Sequence, residues 1–211
     1  DSKQSLAAMI KRFAPTVITG DISTLSPGDR KALSKLIQAA RVMDKIYIRQ
    51  VWSGNEAMQR QLARDKTPLG KLRLHYFTIN MAPWSHLDHN ESFVPGIPSR
   101  RPPQANFYPL DMTKEDFAAW VATLPEPDQT NATGFFYTIR RDSDKKLKAI
   151  PYNVEYRDLL EPAAGLLREA ASLTDNTSLK TFLAKRANAF ENNDYYESDL
   201  AWMDLDSPLE V

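Results

Sequence analysis

The fold is decided by the stretch SPGDRKALSKLIQAARVMDKIYIRQVW, residues 26–52. Ser26 is a residue type favoured at helix N-caps, Pro27 suits the first helical position, and Asp29 falls in the first turn. Apolar side chains then recur close to every 3.6 residues over about seven turns. They are Leu33, Leu36, Ile37, Ala40, Val42, Met43, Ile46, Tyr47 and Val51. We therefore expect one long helix over residues 27–53 with one face buried.

Similar patterns occur on both sides of this stretch. Apolar periodicity and capping residues predict further helices over residues 3–14, 55–65, 68–79, 114–124, 153–173, 176–191 and 194–203. The segments GFFYTIRR (134–141) and LKAIPY (147–152), around the polar turn DSDKK, predict two strands. The expected fold class is mainly α with a small β hairpin or sheet (α+β), a multi-helix lobe with a long, ordered Pro-rich loop.

We expect residues 1–211 to form a single lobe. Along the chain it should consist of a helical segment 1–81, a Pro-rich loop 82–111, a helix plus hairpin 113–151, and a helical segment 153–205. The loop contains six prolines, at 83, 95, 98, 102, 103 and 109. Such a density excludes a helix interior and a central strand. Its aromatic and apolar side chains favour an ordered loop that packs on the body of the lobe.

Composition narrows the possible functions. Lys plus Arg equals Asp plus Glu, 27 of each, so no net charge draws the chain to nucleic acid or to an anionic membrane. No apolar run approaches the roughly 18 residues that a membrane span needs. Cysteine is absent, which excludes thiolate zinc sites and cysteine nucleophiles. We expect no nucleic-acid partner and no membrane partner. The compartment, exported or cytoplasmic, is open; the start at Asp1 without a methionine and the absence of cysteine lean toward bacterial export.

The stretch HLDHNE, residues 86–91, is the first candidate for chemistry. It holds two of the three histidines, His86 and His89, beside Asp88 and Glu91. Imidazoles three residues apart with carboxylates are ligands that zinc accepts. Prolines on both sides argue against a sustained helix that would align the two histidines, and no HExxH motif is present. We expect a surface loop here, with a metal site or a substrate contact as the alternatives.

Two other stretches are candidates for binding. In PPQANFYPLDM, residues 102–112, Asn106 and Tyr108 offer an amide and a phenol to a ligand, although Phe107 and Tyr108 also suit simple anchoring of the loop. In DYYESDLAWMDLD, residues 194–206, aromatic side chains alternate with five carboxylates. Helical periodicity predicts Tyr195, Leu200 and Met203 on the inward face and most of the acids in solvent.

Several strings together resemble one family. They are RFAPTVITGDISTLSPGDRKALSKLIQAARVMDKIYIRQVW, LHYFTINMAPWSHLDHNESFVPG, PPQANFYPLDMTKEDFAAWVATL, ATGFFYTIRR and NDYYESDLAWMDLDSPLEV. They resemble the amino-terminal region of bacterial zinc-dependent hydrolases related to dipeptidyl peptidase III, and also the domain that follows the Nudix module in a plant Nudix-type protein. Gln104 stands where the family usually has a glycine, which puts a tight-turn role at that position in doubt.

The resemblance implies that residues 1–211 are an amino-terminal lobe that forms one wall of a peptide-binding cleft. The family's zinc ligands and general base belong to a downstream catalytic lobe, so no catalytic residue and no metal ligand carries over to this sequence. The implied cofactor is zinc in that other lobe, and the implied partners are a peptide substrate and the catalytic lobe itself. On the cleft side we expect Asn106, Tyr108 and Asp111 to contact and orient the substrate.

The expected function is therefore a substrate-cleft lobe that is catalytically inert by itself, within a longer zinc-dependent peptidase. Two alternatives stay open. The chain is a non-enzymatic binding or regulatory module, because shared ancestry does not guarantee shared activity. Or it is a self-contained metal-dependent hydrolase that uses the 86–91 cluster.

Overall fold

The structure is a computed structural model that describes residues 3–211, and the fold is mainly α with a small β component, as predicted. The first two residues of the predicted helical segment 1–81 lie outside the described residues. Within residues 3–211 no helix is both long enough and apolar enough to cross a membrane. The helices are α1 Lys3–Ile10, α2 Pro27–Val51, α3 Asn55–Arg64, α4 Pro68–Asn80, α5 Lys114–Ala122, α6 Glu126–Thr133, α7 Tyr152–Glu155, α8 Arg157–Leu173, α9 Thr177–Asn192 and α10 Tyr196–Met203. The strands are β1 Trp84–Ser85, β2 Glu91–Ser92, β3 Tyr137–Arg141 and β4 Leu147–Pro151.

The chain packs as two compact units. Unit 1 contains residues up to Ile18 together with Tyr47–Met112, and unit 2 contains Thr19–Ile46 together with Thr113–Val211. The division falls within α2. Because one lobe can contain more than one compact unit, the single lobe over residues 1–211 stays a prediction.

Unit 1 is built around aromatic side chains. Tyr76 and Phe77 of α4 are fully buried and pack with Leu6 of α1, Leu62 of α3 and Phe93 of the Pro-rich loop. The loop is therefore ordered, as predicted. Its Trp84 is also fully buried, and Trp84 Nε1 donates to the carbonyl of Pro98 at 2.9 Å.

The Pro-rich loop contains more regular structure than the prolines suggested. Trp84–Ser85 pairs antiparallel with Glu91–Ser92, and one turn of 3₁₀ helix, His86–Asp88, connects these two strands. His89 and Asn90 have positive φ, at 53° and 58°. Both lie in the left-handed region, which histidine and asparagine tolerate better than β-branched residues. Such a short hairpin fits between Pro83 and Pro95 without a proline in either strand.

The start of α2 lies on the junction between α8 and α9 in unit 2. Ser26 caps the helix, since its Oγ accepts from the Asp29 amide at 3.0 Å, as the sequence predicted. Ser26 Oγ also donates to Asp175 Oδ2 at 2.7 Å, and Thr174 Oγ1 donates to the buried Asp29 carboxylate at 2.5 Å. Four polar side chains therefore fix this contact between segments that are distant in sequence.

Helices α8 and α9 pack on each other, and α10 packs on α9. The buried faces of α8 and α9 contribute Leu167, Leu179, Phe182 and Leu183 to one apolar core. The predicted hairpin is present, with Tyr137 opposite Pro151 and Arg141 opposite Leu147. The predicted helix over residues 114–124 is α5, and a capping box of Thr113 and Asp116 opens it. Helix α6 was not predicted.

Candidate functional site

Asn106, the first predicted substrate contact, holds the Pro-rich loop against the end of α2. Its Nδ2 donates to the Arg49 carbonyl at 2.8 Å, and its backbone amide donates to the Gln50 carbonyl at 2.9 Å. Asn55 Nδ2 donates to the next carbonyl back, that of Ile48, at 2.9 Å. The last carbonyls of a helix have no partner within the helix, so these two asparagines replace the missing donors. The Asn106 amide group therefore has a structural role whether or not it also contacts a ligand.

Tyr108 and Asp111 follow on the outer side of the same loop. Tyr108 is 36% exposed, and Asp111 is exposed. Gln104 Nε2 donates to the Leu110 carbonyl at 2.8 Å and so fixes the loop that carries Tyr108. Within residues 102–111, the positive φ belongs to Ala105, at 50°. The backbone at Gln104 therefore does not need the glycine that the family usually has there. The three predicted residues thus belong to one ordered loop of unit 1, and their contact with substrate stays a prediction.

The HLDHNE stretch forms a loop that is fastened by Asp88. The Arg12 guanidinium donates to both carboxylate oxygens of Asp88, at 2.8 Å for the Oδ1 contact, and Ser85 Oγ donates to Oδ2 at 2.5 Å. Ser85 is fully buried, and its Oγ lies 2.7 Å from the hydroxyl of the buried Tyr76. The Arg12 guanidinium, followed by the Ser85 hydroxyl, lowers the pKa of Asp88 to about 2. This carboxylate is therefore committed to joining the hairpin to α1 and α4.

The two histidines of this stretch do not converge on a common point with several carboxylates. Within residues 3–211 no group of three or more His, Asp or Glu side chains is arranged to hold a metal ion. His89 is exposed, in the left-handed backbone conformation. Partial burial, and then the charge of Arg101, lowers the pKa of His86 and so favours its neutral imidazole. The described residues therefore do not fit a zinc centre.

A cavity of about 240 Å³ lies in unit 2, and none of its lining residues was a candidate site residue in the sequence. Its polar lining residues are Asp128, Asn131 and Lys148, and Trp120 supplies an aromatic wall. Asp128 and Asn131 come from α6, which the sequence pattern missed because Glu126–Thr133 has almost no apolar periodicity. Asn106, Tyr108 and Asp111 belong to unit 1 and do not line this cavity.

The prediction for α10 was wrong in two of its three residues. Tyr195 is buried as expected, but Leu200 is 39% exposed and Met203 is 75% exposed. The buried face of α10 instead carries the small residues Ser198 and Ala201. Leu200 and Met203 do share a face, as the periodicity predicted, but that face is exposed and does not include the buried Tyr195.

The comparisons with known proteins agree with the resemblance that the sequence predicted. No family model matches the chain. Nudix hydrolase 3 of Arabidopsis thaliana is 37% identical over 255 aligned residues, which cover 98% of this chain and 33% of that protein. The structure of dipeptidyl-peptidase III from Corallococcus sp. strain EGB matches with a TM-score of 0.95 and 48% identity, over 100% of this chain and 39% of that one. For DPP III from Caldithrix abyssi the TM-score is 0.90 and the identity 46%, over 95% and 38% of the two chains.

The chain thus spans about a third of the curated relative and about two fifths of each solved structure. Over that span its fold is that of the matching portion of the DPP III structures.

Proposed function

We propose that this chain is the amino-terminal, substrate-cleft lobe of a longer, DPP III-like zinc-dependent hydrolase that cleaves peptides. The observation that carries the proposal is the match of the whole chain to a portion of a dipeptidyl-peptidase III structure, at a TM-score of 0.95 and 48% identity. At 48% identity, about half of the aligned residues are the same in the two chains. The work of this lobe is to bind and orient the peptide.

The Pro-rich loop of unit 1 is the segment of the lobe that we assign to the substrate. Asn106 anchors the loop to the end of α2, and Tyr108 and Asp111 follow it with side chains that reach the surface. A phenol and a carboxylate suit the amides and the terminal ammonium of a peptide. Because the loop is fixed at Asn106 and at Gln104, these groups are held in place before the substrate binds, which lowers the entropic cost of binding.

The hydrolytic chemistry is assigned to residues outside this sequence. The resemblance implies zinc, but the described residues do not offer a set of ligands that fits it. We therefore propose that the 211-residue chain alone binds no stoichiometric zinc and hydrolyses no peptide. The 86–91 cluster is not favoured as an independent metal site, since Asp88 is already bound by Arg12 and Ser85.

A second candidate is a binding or regulatory module without peptidase activity. It is favoured by the similarity to Nudix hydrolase 3, in which the matching region is only 33% of the protein. A region of similar fold that occurs in proteins with different names need not have the same activity in each.

Variants at the loop test the assignment of the substrate contacts in the polypeptide translated from the complete reading frame. Tyr108→Phe removes only the phenol oxygen, and Asp111→Asn removes only the charge. We expect each to lower kcat/KM for a peptide. Tyr47→Phe is the matched control, since Tyr47 is also an exposed tyrosine of unit 1 but is not on this loop. Unchanged kinetics for both loop variants would show that the loop does not contact substrate.

A further inference from the structure

Helix α10, Tyr196–Met203, has a buried face of small residues and a second face of large apolar side chains. Ser198 and Ala201 are buried on the first face, which packs on α9. At about 100° per residue, Tyr196, Leu200 and Met203 lie within about 60° of one another on the other side. In a helix at a surface, the apolar stripe ordinarily faces the core and the polar residues face the solvent. In α10 the large apolar side chains instead lie on the side that does not pack on α9.

The second apolar face of α10 is uncovered in this chain. Tyr196 is 68% exposed and Met203 is 75% exposed, and the neighbouring Trp202 is 52% exposed. Leu200, on the same face as Tyr196 and Met203, is 39% exposed. Large apolar side chains scattered singly over a surface are ordinary, but these three at helical spacing on one short helix form a patch of the kind found at interfaces.

The charges beside this face are already neutralised. Glu197 pairs with Lys185 at 3.0 Å, and Asp199 pairs with Arg186 at 2.7 Å, both across to α9. Covering the apolar face therefore does not bury an unpaired carboxylate. Burial of an unpaired charge would cost free energy and oppose the contact. The occupant that fits is an apolar surface of a protein.

We propose that the face of Tyr196, Leu200 and Met203 is covered by the region of the longer polypeptide that this sequence does not include. This inference rests on the proposed function. Two observations favour that occupant over a second copy of the chain. The solved DPP III chains that it matches are more than twice as long. In addition, Trp202 Nε1 donates to the Val211 carbonyl at 3.2 Å, so any polypeptide that continues beyond Val211 starts beside α10.

Oxidation of methionine tests the proposal directly. Peroxide oxidises exposed methionines fastest, so Met203 of the 211-residue chain reacts quickly and the buried Met58 reacts slowly. In the polypeptide translated from the complete reading frame, we expect oxidation of Met203 to slow by about tenfold or more, whereas Met58 stays slow in both. Peptide mapping by mass spectrometry measures both rates in the same sample. Equal Met203 rates in the two polypeptides would overturn the proposal.

Two further results distinguish the remaining outcomes. Protection of Met203 in the 211-residue chain that grows with concentration, together with a dimer mass in light scattering, would assign the face to a second copy and overturn the proposal. Met203→Gln should lower the melting temperature of the complete polypeptide more than that of the 211-residue chain. Ile37→Gln, the control at another half-exposed apolar residue of unit 2, should act equally in both.

Peptidase activity, measured in the same samples, separates this proposal from the proposed function. Peptidase activity without protection of Met203 contradicts only the proposed cover of α10. Protection of Met203 without peptidase activity contradicts only the assignment as a peptidase lobe.

Discussion

Gly28 and Gly165 form a matched pair of sites at which one methyl group should have opposite effects. Both lie in helices of unit 2, Gly28 in the first turn of α2 and Gly165 in the middle of α8. A Cβ at Gly28 would lie 2.5 Å from the Leu173 carbonyl oxygen and 2.5 Å from Asp175 Oδ2. A Cβ at Gly165 would meet no atom within 4 Å. Gly28→Ala should therefore destabilise the chain and Gly165→Ala should stabilise it.

The two magnitudes follow from packing and helix propensity. Alanine is favoured over glycine within a helix by about 0.5–1 kcal/mol, and Gly165→Ala should gain that amount. At Gly28 the carbonyl of Leu173 is backbone and cannot rotate away, and Asp175 is held by Ser26. Overpacking of this kind costs about 1–3 kcal/mol, and subtracting the propensity gain leaves a net loss of up to about 2.5 kcal/mol. The melting temperature should fall by up to about 10 °C for Gly28→Ala and rise by about 1–4 °C for Gly165→Ala.

Thermal and urea unfolding of the 211-residue chain, followed by circular dichroism, measures both effects. The double variant should equal the sum of the single variants, because the two glycines have no neighbour in common. A Gly28→Ala protein at least as stable as its parent would refute the close approach of α2 to the end of α8. A destabilised Gly165→Ala protein would refute the open space beside α8.

Three further predictions concern unit 1 and use urea unfolding. The pKa of Asp88 is held at about 2, below its ordinary 3.8. The pairing of Asp88 with Arg12 therefore stabilises the fold above about pH 4, and this stabilisation is lost as the pH falls from about 4 to about 2. Asp88→Asn should thus cost at most about 1 kcal/mol at pH 7 and nothing measurable below pH about 2, and a pH-independent difference would contradict the ion pair. Trp84→Phe leaves a cavity at a fully buried side chain and removes the donor to the Pro98 carbonyl, so it should lower the free energy of unfolding by about 2–4 kcal/mol. A decrease below about 1 kcal/mol would contradict the burial of Trp84. Asn106→Ala removes a donor from the end of α2 and should cost about 1 kcal/mol, whereas no change would show that the cap is dispensable.

Features that depend on neighbouring residues were predictable from the sequence. Ser26 and Pro27 mark the start of α2, and the apolar period that follows gives its extent to within two residues of the structure. Thr113 and Asp116 similarly mark the start of α5. Each of these signals acts within one turn of helix, so no knowledge of the tertiary fold is needed.

Features that depend on distant residues were not predictable in the same way. Asn106 was chosen as a substrate contact because its amide suits a ligand, but its Nδ2 bonds to Arg49, 57 residues away. Asp88 looked like a metal ligand or a turn residue, and its partner Arg12 is 76 residues away. A local sequence pattern does not distinguish a polar side chain that binds a ligand from one that hydrogen-bonds to a distant segment of the chain.

The prediction of which face of α10 is buried failed for a different reason. Its period predicted Leu200 and Met203 inward, yet both are at least a third exposed in this chain. A period shows which residues share a face and does not show which surface covers that face. We propose that the rest of a longer polypeptide covers the face of Leu200 and Met203. This proposed interface would explain why the prediction failed for the 211-residue chain.

We propose that the catalytic groups lie outside these 211 residues. To test this, peptide turnover and bound zinc are measured side by side for the purified 211-residue chain and for the polypeptide translated from the complete reading frame. We predict turnover and about one zinc ion per molecule for the complete polypeptide, as for a catalytic zinc site with protein ligands, and neither for the 211-residue chain. Turnover by the 211-residue chain that is lost on substitution of His86 or His89 would contradict the account.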